Sequence, residues 1–208
     1  MSLEDPSGKI ELTALQLEAV ALSTIKAVIG DVRHQYLSGP ITGGRKLLDW
    51  HKGTGRKIVK TDYRMAKELA VVKKNIQDIQ LVAKQERDAH RNTIEPGSFE
   101  ADFPCWGQDD FLRFWEGVIR DHSSRVLFMN GWEFSSGCAF EFLCARKHNR
   151  PTFDMCGAKL TNDAALALLD NAICEIVEMH DAADPRDEEI VKLHAKIVAS
   201  REKVEALG

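Results

Sequence analysis

Two segments of the sequence combine glycine with serine or threonine in a way that suits binding of an anion. The first is SGPITGGR, residues 38–45, which holds three of the chain's 14 glycines, and the second is NGWEFSSG, residues 130–137. Glycine lets the backbone approach a ligand closely, and exposed N–H groups in such turns form anion-binding hollows. The second segment also leads into a predicted helix, and helix N-termini attract phosphate through their free N–H groups. Either segment alone is typical of a plain turn, whereas two of them at adjacent strand ends indicate a ligand site.

A glutamate early in that predicted helix has the character of a catalytic group. Glu141 lies within GCAFEFLCA, residues 137–145, where its neighbours are apolar or small. The helical period of 3.6 residues puts Glu141 on one face with Cys138 and Cys144, and this face is otherwise predicted to be buried. A carboxylate on a buried face is costly unless it is paired or used. Glu141 is therefore either half of an ion pair or a nucleophile or acid–base group that faces a pocket.

These segments need a scaffold that brings them together, and the order of the predicted elements provides one. Short apolar or β-branched runs predict strands at HQYLSGP, which runs into a Gly/Pro turn, and at NTIEPG, RVLFMN and RPTFDM. Helices are predicted between them, over residues 62–89, over residues 108–122 and from Ser135 or Ser136. This alternation predicts an α/β fold, flavodoxin-like or Rossmann-like, with a parallel sheet of about four to five strands and helices on both faces. Ligands of such sheets bind beyond the carboxyl ends of the strands, where both glycine-containing segments begin.

Helical additions are predicted on both sides of this sheet. The chain divides into an N-terminal extension, an α/β domain and C-terminal helices, at residues 1–33, 34–158 and 159–208. The extension contains a helix over residues 11–30 with capping-box spacing at Thr13 and Gln16. Its predicted packed face comprises Leu15, Leu22, Ile25 and Ile29. Within the α/β domain, the Gly- and Lys-rich residues 43–60 are predicted to form a mobile loop.

The spacing of apolar residues predicts which side of two longer helices is buried. In the helix over residues 62–89 one stripe comprises Met65, Leu69, Val72, Ile76, Ile79 and Val82. The last predicted helix, residues 186–207, repeats Ile190, Ile197 and Val204 every seven residues. Such a repeat is typical of a short coiled-coil-like seam. The seam either packs on the chain's own body or forms a contact between subunits.

Composition places the chain among ordinary globular proteins. It has 208 residues, of which 44% are hydrophobic and 29% charged, and its net charge is −4. Scattered Lys and Arg residues argue against a nucleic-acid surface, and no apolar run approaches the ~20 residues of a membrane span. The first residues do not have the basic and apolar regions of a signal peptide, so we expect a cytoplasmic protein. The five cysteines are an odd number without a CxxC pair, so we expect free thiols and no metal site.

Two motifs resemble those of the nucleoside 2-deoxyribosyltransferase-like superfamily. YLSGPITGGR, residues 36–45, matches the Tyr-x-x-Gly-x-Ile-x-Gly-Gly-Arg pattern of the 2′-deoxynucleoside 5′-phosphate N-hydrolases. FMNGWEFSSGCAFEFLCA, residues 128–145, is similar to the GWE-x-S-x-GA-x-x-E segment of small bacterial and phage members. Their order and strand–loop–helix context also agree, and the resemblance covers about residues 34–155. It implies a Rossmann-like core that cleaves base–sugar bonds.

The resemblance implies a role for several residues. Glu141 matches the family's catalytic glutamate, which attacks C1′ of the sugar, and Tyr36 matches the tyrosine that orients it. Glu116 falls where the family usually has an aspartate that assists at the base. Ser135 matches a residue on the 5′ side of the sugar, and the loop that wraps the phosphate corresponds to Gly39, Ile41, Thr42 and Gly43. Further substrate-binding residues predicted in the two segments are Ser38, Gly44, Ser136 and Gly137. Trp132 either stacks on a base of the substrate or packs in the core.

Together these features predict an N-glycosidase that cleaves the base–sugar bond of a nucleoside or deoxynucleoside 5′-monophosphate through a glutamate nucleophile, without cofactor or metal. Three alternatives stay open: base exchange by a nucleoside 2-deoxyribosyltransferase, nucleotide binding by an inactive sensor, and release of nicotinamide from NAD. The expected partners are a small nucleoside or nucleotide and further copies of the chain, in a homodimer or larger homo-oligomer. Neither a nucleic-acid polymer nor a membrane is expected to be a partner.

Overall fold

A computed structural model describes residues 13–30, 32–98, 106–179 and 184–207. The strands are β1 (His34–Ser38), β2 (Thr93–Ile94), β3 (Ser123–Phe128) and β4 (Thr152–Asp154). The α-helices are α1 (Ala14–Ile29), α2 (Arg45–Gly53), α3 (Lys60–Lys67), α4 (Lys73–Asp88), α5 (Gln108–His122), α6 (Ser136–Lys147), α7 (Asn162–Met179) and α8 (Glu188–Glu205). A π-helical segment, Glu68–Val72, joins α3 to α4, and 3-10 turns cover Gly55–Lys57, Trp132–Phe134 and Pro185–Asp187.

The four strands form one parallel sheet in the order β2-β1-β3-β4, so the structure is an α/β fold compatible with a Rossmann-like arrangement. From β1 the chain crosses to β2 on one side, and it then returns to β3 on the other side of β1. The winding therefore reverses between β1 and β3, whose carboxyl ends lie side by side, with Ser38 opposite Phe128. Ligands of open α/β sheets bind at such a reversal.

Helices cover both faces of the sheet, as predicted. Alternate residues of a strand point to opposite faces. Tyr36 and Val126 belong to a large core that includes buried side chains of α1, α5, α6, α7 and α8. On the other face Leu37 and Leu127 pack against Ile79 of α4. Because the large core draws on both terminal additions as well as the central residues, the three predicted segments share one core.

The predicted capping box of α1 is present, and its packed face agrees with the prediction except at Leu15. The backbone N–H of Thr13 donates to Oε1 of Gln16 (2.9 Å), and the backbone N–H of Gln16 donates to the Thr13 hydroxyl (3.3 Å). Leu15 is 66% exposed, so its place on the packed face is wrong. Leu22, Ile25 and Ile29 pack on the large core as predicted, and Ala14, Leu17 and Ala21 join them there.

Residues 43–60 are largely helical, so the predicted mobile loop is wrong. α2 occupies the middle of this segment, and Leu47, Leu48 and His51 on one of its sides are buried. Glycine and lysine dominate the segment's composition and suggest exposure. The three buried side chains favour a helix only once the rest of the fold packs against them, and this packing cannot be seen in the local sequence.

The apolar stripe predicted over residues 62–89 holds only in its second part. Val72 and Ile79 are buried, whereas Met65 and Leu69 are 66% and 55% exposed. The π-helical segment places more residues in one turn than an α-helix does, so it rotates the faces of α3 relative to those of α4. A single regular helical period therefore cannot describe the buried side of both helices.

The seven-residue pattern of α8 packs on the chain's own body. Ile190, Ile197 and Val204 are buried, and α8 contacts α6 and α7. Of the two interpretations left open by the sequence, packing within the chain is confirmed for these side chains.

Two further sequence predictions concern thiols and membranes. The structure shows Cys138, Cys144, Cys156 and Cys174 as free thiols, while Cys105 lies outside the described residues. Over the four described ranges, no helix is both long enough and apolar enough to cross a bilayer.

Candidate active site

A cavity of about 510 Å³ lies at the carboxyl ends of β1 and β3. Glu141 of α6 lines it, together with the loop that follows β1 and the first residues of α6. α5 contributes an apolar wall of Phe111, Leu112 and Trp115. α3 and α8 contribute Lys67, Glu189, Lys192, Leu193 and Lys196. A carboxylate, a glycine-containing loop, a helix N-terminus and an apolar wall thus meet in one space.

Two hydroxyl groups of β1 hold the Glu141 carboxylate. The Tyr36 hydroxyl donates to Oε1 (2.6 Å) and the Ser38 hydroxyl donates to Oε2 (2.5 Å). Tyr36 and Ser38 are two residues apart on one strand, so both side chains point to the sheet face that α6 covers. A carboxylate oxygen can accept more than one hydrogen bond, so these two contacts do not by themselves prevent Glu141 from reacting with a ligand in the cavity. The predicted contact of Tyr36 with Glu141 is present, whereas fully buried Ser38 bonds Glu141 instead of lining the cavity.

The surroundings of Glu141 keep its neighbours uncharged. Burial, followed by the nearby Glu141 carboxylate, raises the pKa of Tyr36 well above its usual value, so Tyr36 stays a hydrogen-bond donor. Burial and Glu141 likewise raise the pKa of the Cys138 thiol. A neutral thiol is a poor nucleophile, which favours Glu141 over Cys138 as the nucleophile. The other carboxylate among the described cavity residues is Glu189, which pairs with Lys67.

A buried amide of α4 fastens the loop that follows β1. Nδ2 of Asn75 donates to the carbonyl oxygens of Ile41 (2.9 Å) and Gly43 (3.0 Å). The backbone N–H of Gly44 donates to the carbonyl oxygen of Phe134 (3.0 Å), which ties this loop to the one that follows β3. The two segments predicted to share a ligand are therefore joined directly. Sequence reasoning missed Asn75, although an amide at helical spacing from Val72 and Ile79 is a usable signal.

The three glycines of the first loop do not all serve the cavity. The residues of this loop that line the cavity, as expected, are Gly39, Ile41, Thr42 and Gly43. At Gly39 an added Cβ would come within 2.7 Å of Ile79 and Met129, so this glycine also permits close helix packing. Gly44 does not line the cavity: its φ is +81°, an added Cβ would lie 2.6 Å from Pro40, and it is the N-cap of α2. The sequence predicts that Gly44 contacts the ligand, but in the structure it forms a turn with a positive φ, a conformation that glycine adopts readily.

The start of α6 points into the cavity as expected. Ser135 is the N-cap, and its hydroxyl accepts a hydrogen bond from the backbone N–H of Cys138 (3.4 Å). Ser136 and Gly137 form the first turn and line the cavity with Ser135. N–H groups in the first turn have no acceptor within their helix, and the helix dipole adds positive potential there. This end of the cavity suits an anion.

Besides Ser38 and Gly44, two more predicted site residues do not line the cavity, Glu116 and Trp132. Oε1 of Glu116 binds Nζ of Lys147 (2.7 Å) and Nε2 of His148 (3.0 Å), and these contacts lower the pKa of Glu116. Glu116 does not line the cavity, because its carboxylate is used at the far end of α6, so the structure does not bring it together with Glu141. Trp132 is buried and stacks on Phe142 with ring centroids 5.5 Å apart, so it packs in the core and does not line the cavity.

Sequence reasoning also missed the contributions of α3 and α8. Lys67, Lys192 and Lys196 line the cavity together with Glu189. Lysines are common on exposed helix faces, so their types and spacing carry no signal of a site. Only the packing of α8 against α6 and α7 brings the C-terminal helix to the sheet's carboxyl edge.

Comparisons of the chain with protein-family models, with curated proteins and with solved structures found no match.

Proposed function

We propose that the chain is an N-glycosidase in which Glu141 attacks C1′ of a nucleoside or deoxynucleoside 5′-monophosphate. The observation that supports this most strongly is the Glu141 carboxylate, 7% exposed and bonded to Tyr36 and Ser38, at the wall of a cavity of about 510 Å³. Two hydroxyl donors orient a carboxylate without neutralising its charge. A nucleophile that must form a bond in one direction needs its attacking atom held in a fixed position.

The reaction proceeds in two displacements. First, one oxygen of Glu141 bonds to C1′ while the bond from C1′ to the base nitrogen breaks, and the electron pair leaves with the base, which takes a proton from solvent. Positive charge develops at C1′ in the transition state, and the carboxylate stabilises it. Water then attacks C1′ of the glycosyl ester, loses a proton to solvent, and releases the sugar 5-phosphate and the Glu141 carboxylate.

The opposite sides of the cavity suit the two ends of a nucleotide. Backbone N–H groups at Gly43 and in the first turn of α6 suit a 5′-phosphate. The apolar wall of Phe111, Leu112 and Trp115 suits the flat face of a base. A nucleotide held at both ends keeps C1′ near Glu141, which lowers the entropic part of the barrier.

We also propose a flavodoxin-like topology and a homo-oligomer. The order β2-β1-β3-β4 follows the first four positions of the flavodoxin-like strand order, and the cavity lies at the corresponding switch point between β1 and β3.

Light scattering on the purified chain measures the oligomeric state, and a monomer at working concentration would exclude the homo-oligomer.

Release of free base from a panel of nucleoside and deoxynucleoside 5′-monophosphates tests the proposed activity. We expect Glu141→Gln to lower kcat at least about 10³-fold while nucleotide binding is kept, because the amide preserves the shape of the side chain. The matched control is Glu116→Gln, the same substitution at a glutamate outside the cavity, which should keep near-normal kcat. Near-normal base release by Glu141→Gln would refute the assignment. A second free base in the reaction separates hydrolysis from base exchange, because only a transferase forms a new nucleotide.

A further inference from the structure

A row of lysines borders the cavity on the side of α3 and α8. We call it the basic rim, and it consists of Lys67 of α3 with Lys192 and Lys196 of α8, all of which line the cavity. Lys67 is largely enclosed, with 18% of its side chain exposed, and it pairs with Glu189. Lys192 and Lys196 are exposed. An ammonium group has three N–H donors, so an existing ion pair still leaves donors for a ligand.

The basic rim continues into a second cavity of about 540 Å³. Glu189 and Lys192 line both cavities, and the second adds the basic residues Lys60, Arg64 and Arg186. Among the residues that line the two cavities, six are basic and three are acidic, whereas the whole chain has 28 basic and 32 acidic residues. The lining of the two cavities therefore has an excess of basic residues in a chain whose net charge is −4, and part of that charge is balanced where Lys60 and Lys192 pair with Glu188 and Arg186 pairs with Asp184.

We propose that the basic rim binds phosphates beyond the first one, so that the preferred substrate is a nucleotide with two or more linked phosphates. This inference rests on the proposed function for the position of the first phosphate, at Gly43 and the start of α6. A monophosphate bound there has no further phosphate for the rim, whereas each added phosphate brings negative charge toward lysines, which bind phosphate as point charges.

Two kinds of nucleotide carry linked phosphates. One is a nucleoside triphosphate, and the other is a dinucleotide joined through a pyrophosphate. The second cavity, with Ile58 and Tyr63 in its wall, has room for a second nucleoside. The chemistry recognised by the rim is the same in both cases.

Inorganic anions test the basic rim independently of base and sugar. Titration calorimetry compares tripolyphosphate with orthophosphate on the wild-type chain, on Lys192→Gln/Lys196→Gln and on the control Lys203→Gln. Lys203 is an exposed lysine of the same helix that lines neither cavity. We expect the wild type to bind tripolyphosphate at least about tenfold more tightly than orthophosphate. In the double variant this affinity ratio should fall about tenfold, because each exposed charge contact contributes on the order of threefold. Equal binding of both anions by the wild type, or an equal loss in Lys203→Gln, would overturn the inference.

Nucleotides then identify the source of the linked phosphates. Deoxynucleoside monophosphates, deoxynucleoside triphosphates and pyrophosphate-linked dinucleotides are titrated into Glu141→Gln, in which we expect no turnover. A preference of about tenfold over the monophosphate supports the inference and names its source. If neither compound binds more tightly than the monophosphate, the inference fails, while base release from the monophosphate would leave the proposed function intact. Base release by Glu141→Gln would instead refute the proposed function without changing the tripolyphosphate result.

Discussion

Replacing Glu141 by glutamine and by alanine separates the effect of its hydrogen bonds from that of its charge. Both variants lose the charge, but only the glutamine can still bond Tyr36 and Ser38. In Glu141→Gln the amide oxygen still accepts one hydroxyl proton, and the other hydroxyl can rotate to accept from the amide NH₂. In Glu141→Ala the fully buried hydroxyls of Tyr36 and Ser38 lose this acceptor. An unsatisfied buried hydroxyl costs about 1–3 kcal/mol. Water from the adjoining cavity recovers part of that cost, so we expect Glu141→Ala to be less stable than Glu141→Gln by about 2 kcal/mol.

Urea unfolding followed by circular dichroism measures this difference as a free energy of unfolding. Adding Tyr36→Phe and Ser38→Ala to Glu141→Ala removes the two orphaned hydroxyls, so this triple variant should recover at least about half of the difference. Equal stability of Glu141→Ala and Glu141→Gln would show that the hydroxyls do not depend on the carboxylate. A triple variant no more stable than Glu141→Ala would refute the reasoning in the same way.

Two further substitutions test the residues around the cavity. Asn75→Ala removes the donor to the carbonyl oxygens of Ile41 and Gly43. In steady-state assays of base release we therefore expect the KM for the nucleotide to rise about tenfold, with a smaller change in kcat. An unchanged KM would show that the loop keeps its shape without Asn75. Glu116→Gln tests the ion pair at the end of α6. Lys147 and His148 lower the pKa of Glu116 in the folded state. The ion pair therefore stabilises the fold above the ordinary glutamate pKa of 4.5, and this stabilisation is lost as the pH falls. Thermal melts from about pH 7 to about pH 3 should therefore show the wild type's advantage over Glu116→Gln shrinking with acid, and a constant gap would contradict the assignment.

The parts of the site that follow from short-range periodicity could be predicted. Residues two apart on a strand share a face, which places Tyr36 and Ser38 together. The helical period places Glu141 on the buried side of α6, and the strand–loop–helix order brings both loops to the carboxyl edge of the sheet. None of these steps needs the position of a distant element.

The parts that failed depend on how distant elements pack. Glu116 lies on α5 where a regular helix puts it, yet only the packing of α5 against α6 decides that it meets Lys147. Met65 and Leu69 follow an ideal α-helical stripe that the π-helical segment interrupts. The lysines of α8 reach the cavity through tertiary contacts that lysine spacing does not encode.

Covalent trapping tests the central claim most directly, because it asks which atom bonds to C1′. A 2′-deoxy-2′-fluoro nucleoside 5′-monophosphate with a good leaving base destabilises positive charge at C1′ and slows hydrolysis of the ester, so the intermediate accumulates. Intact-mass measurement followed by peptide mapping should show one fluorosugar phosphate per chain, attached to Glu141, and no adduct on Glu141→Gln. An adduct on another residue, or turnover of the analogue with no adduct at all, would contradict the proposed mechanism.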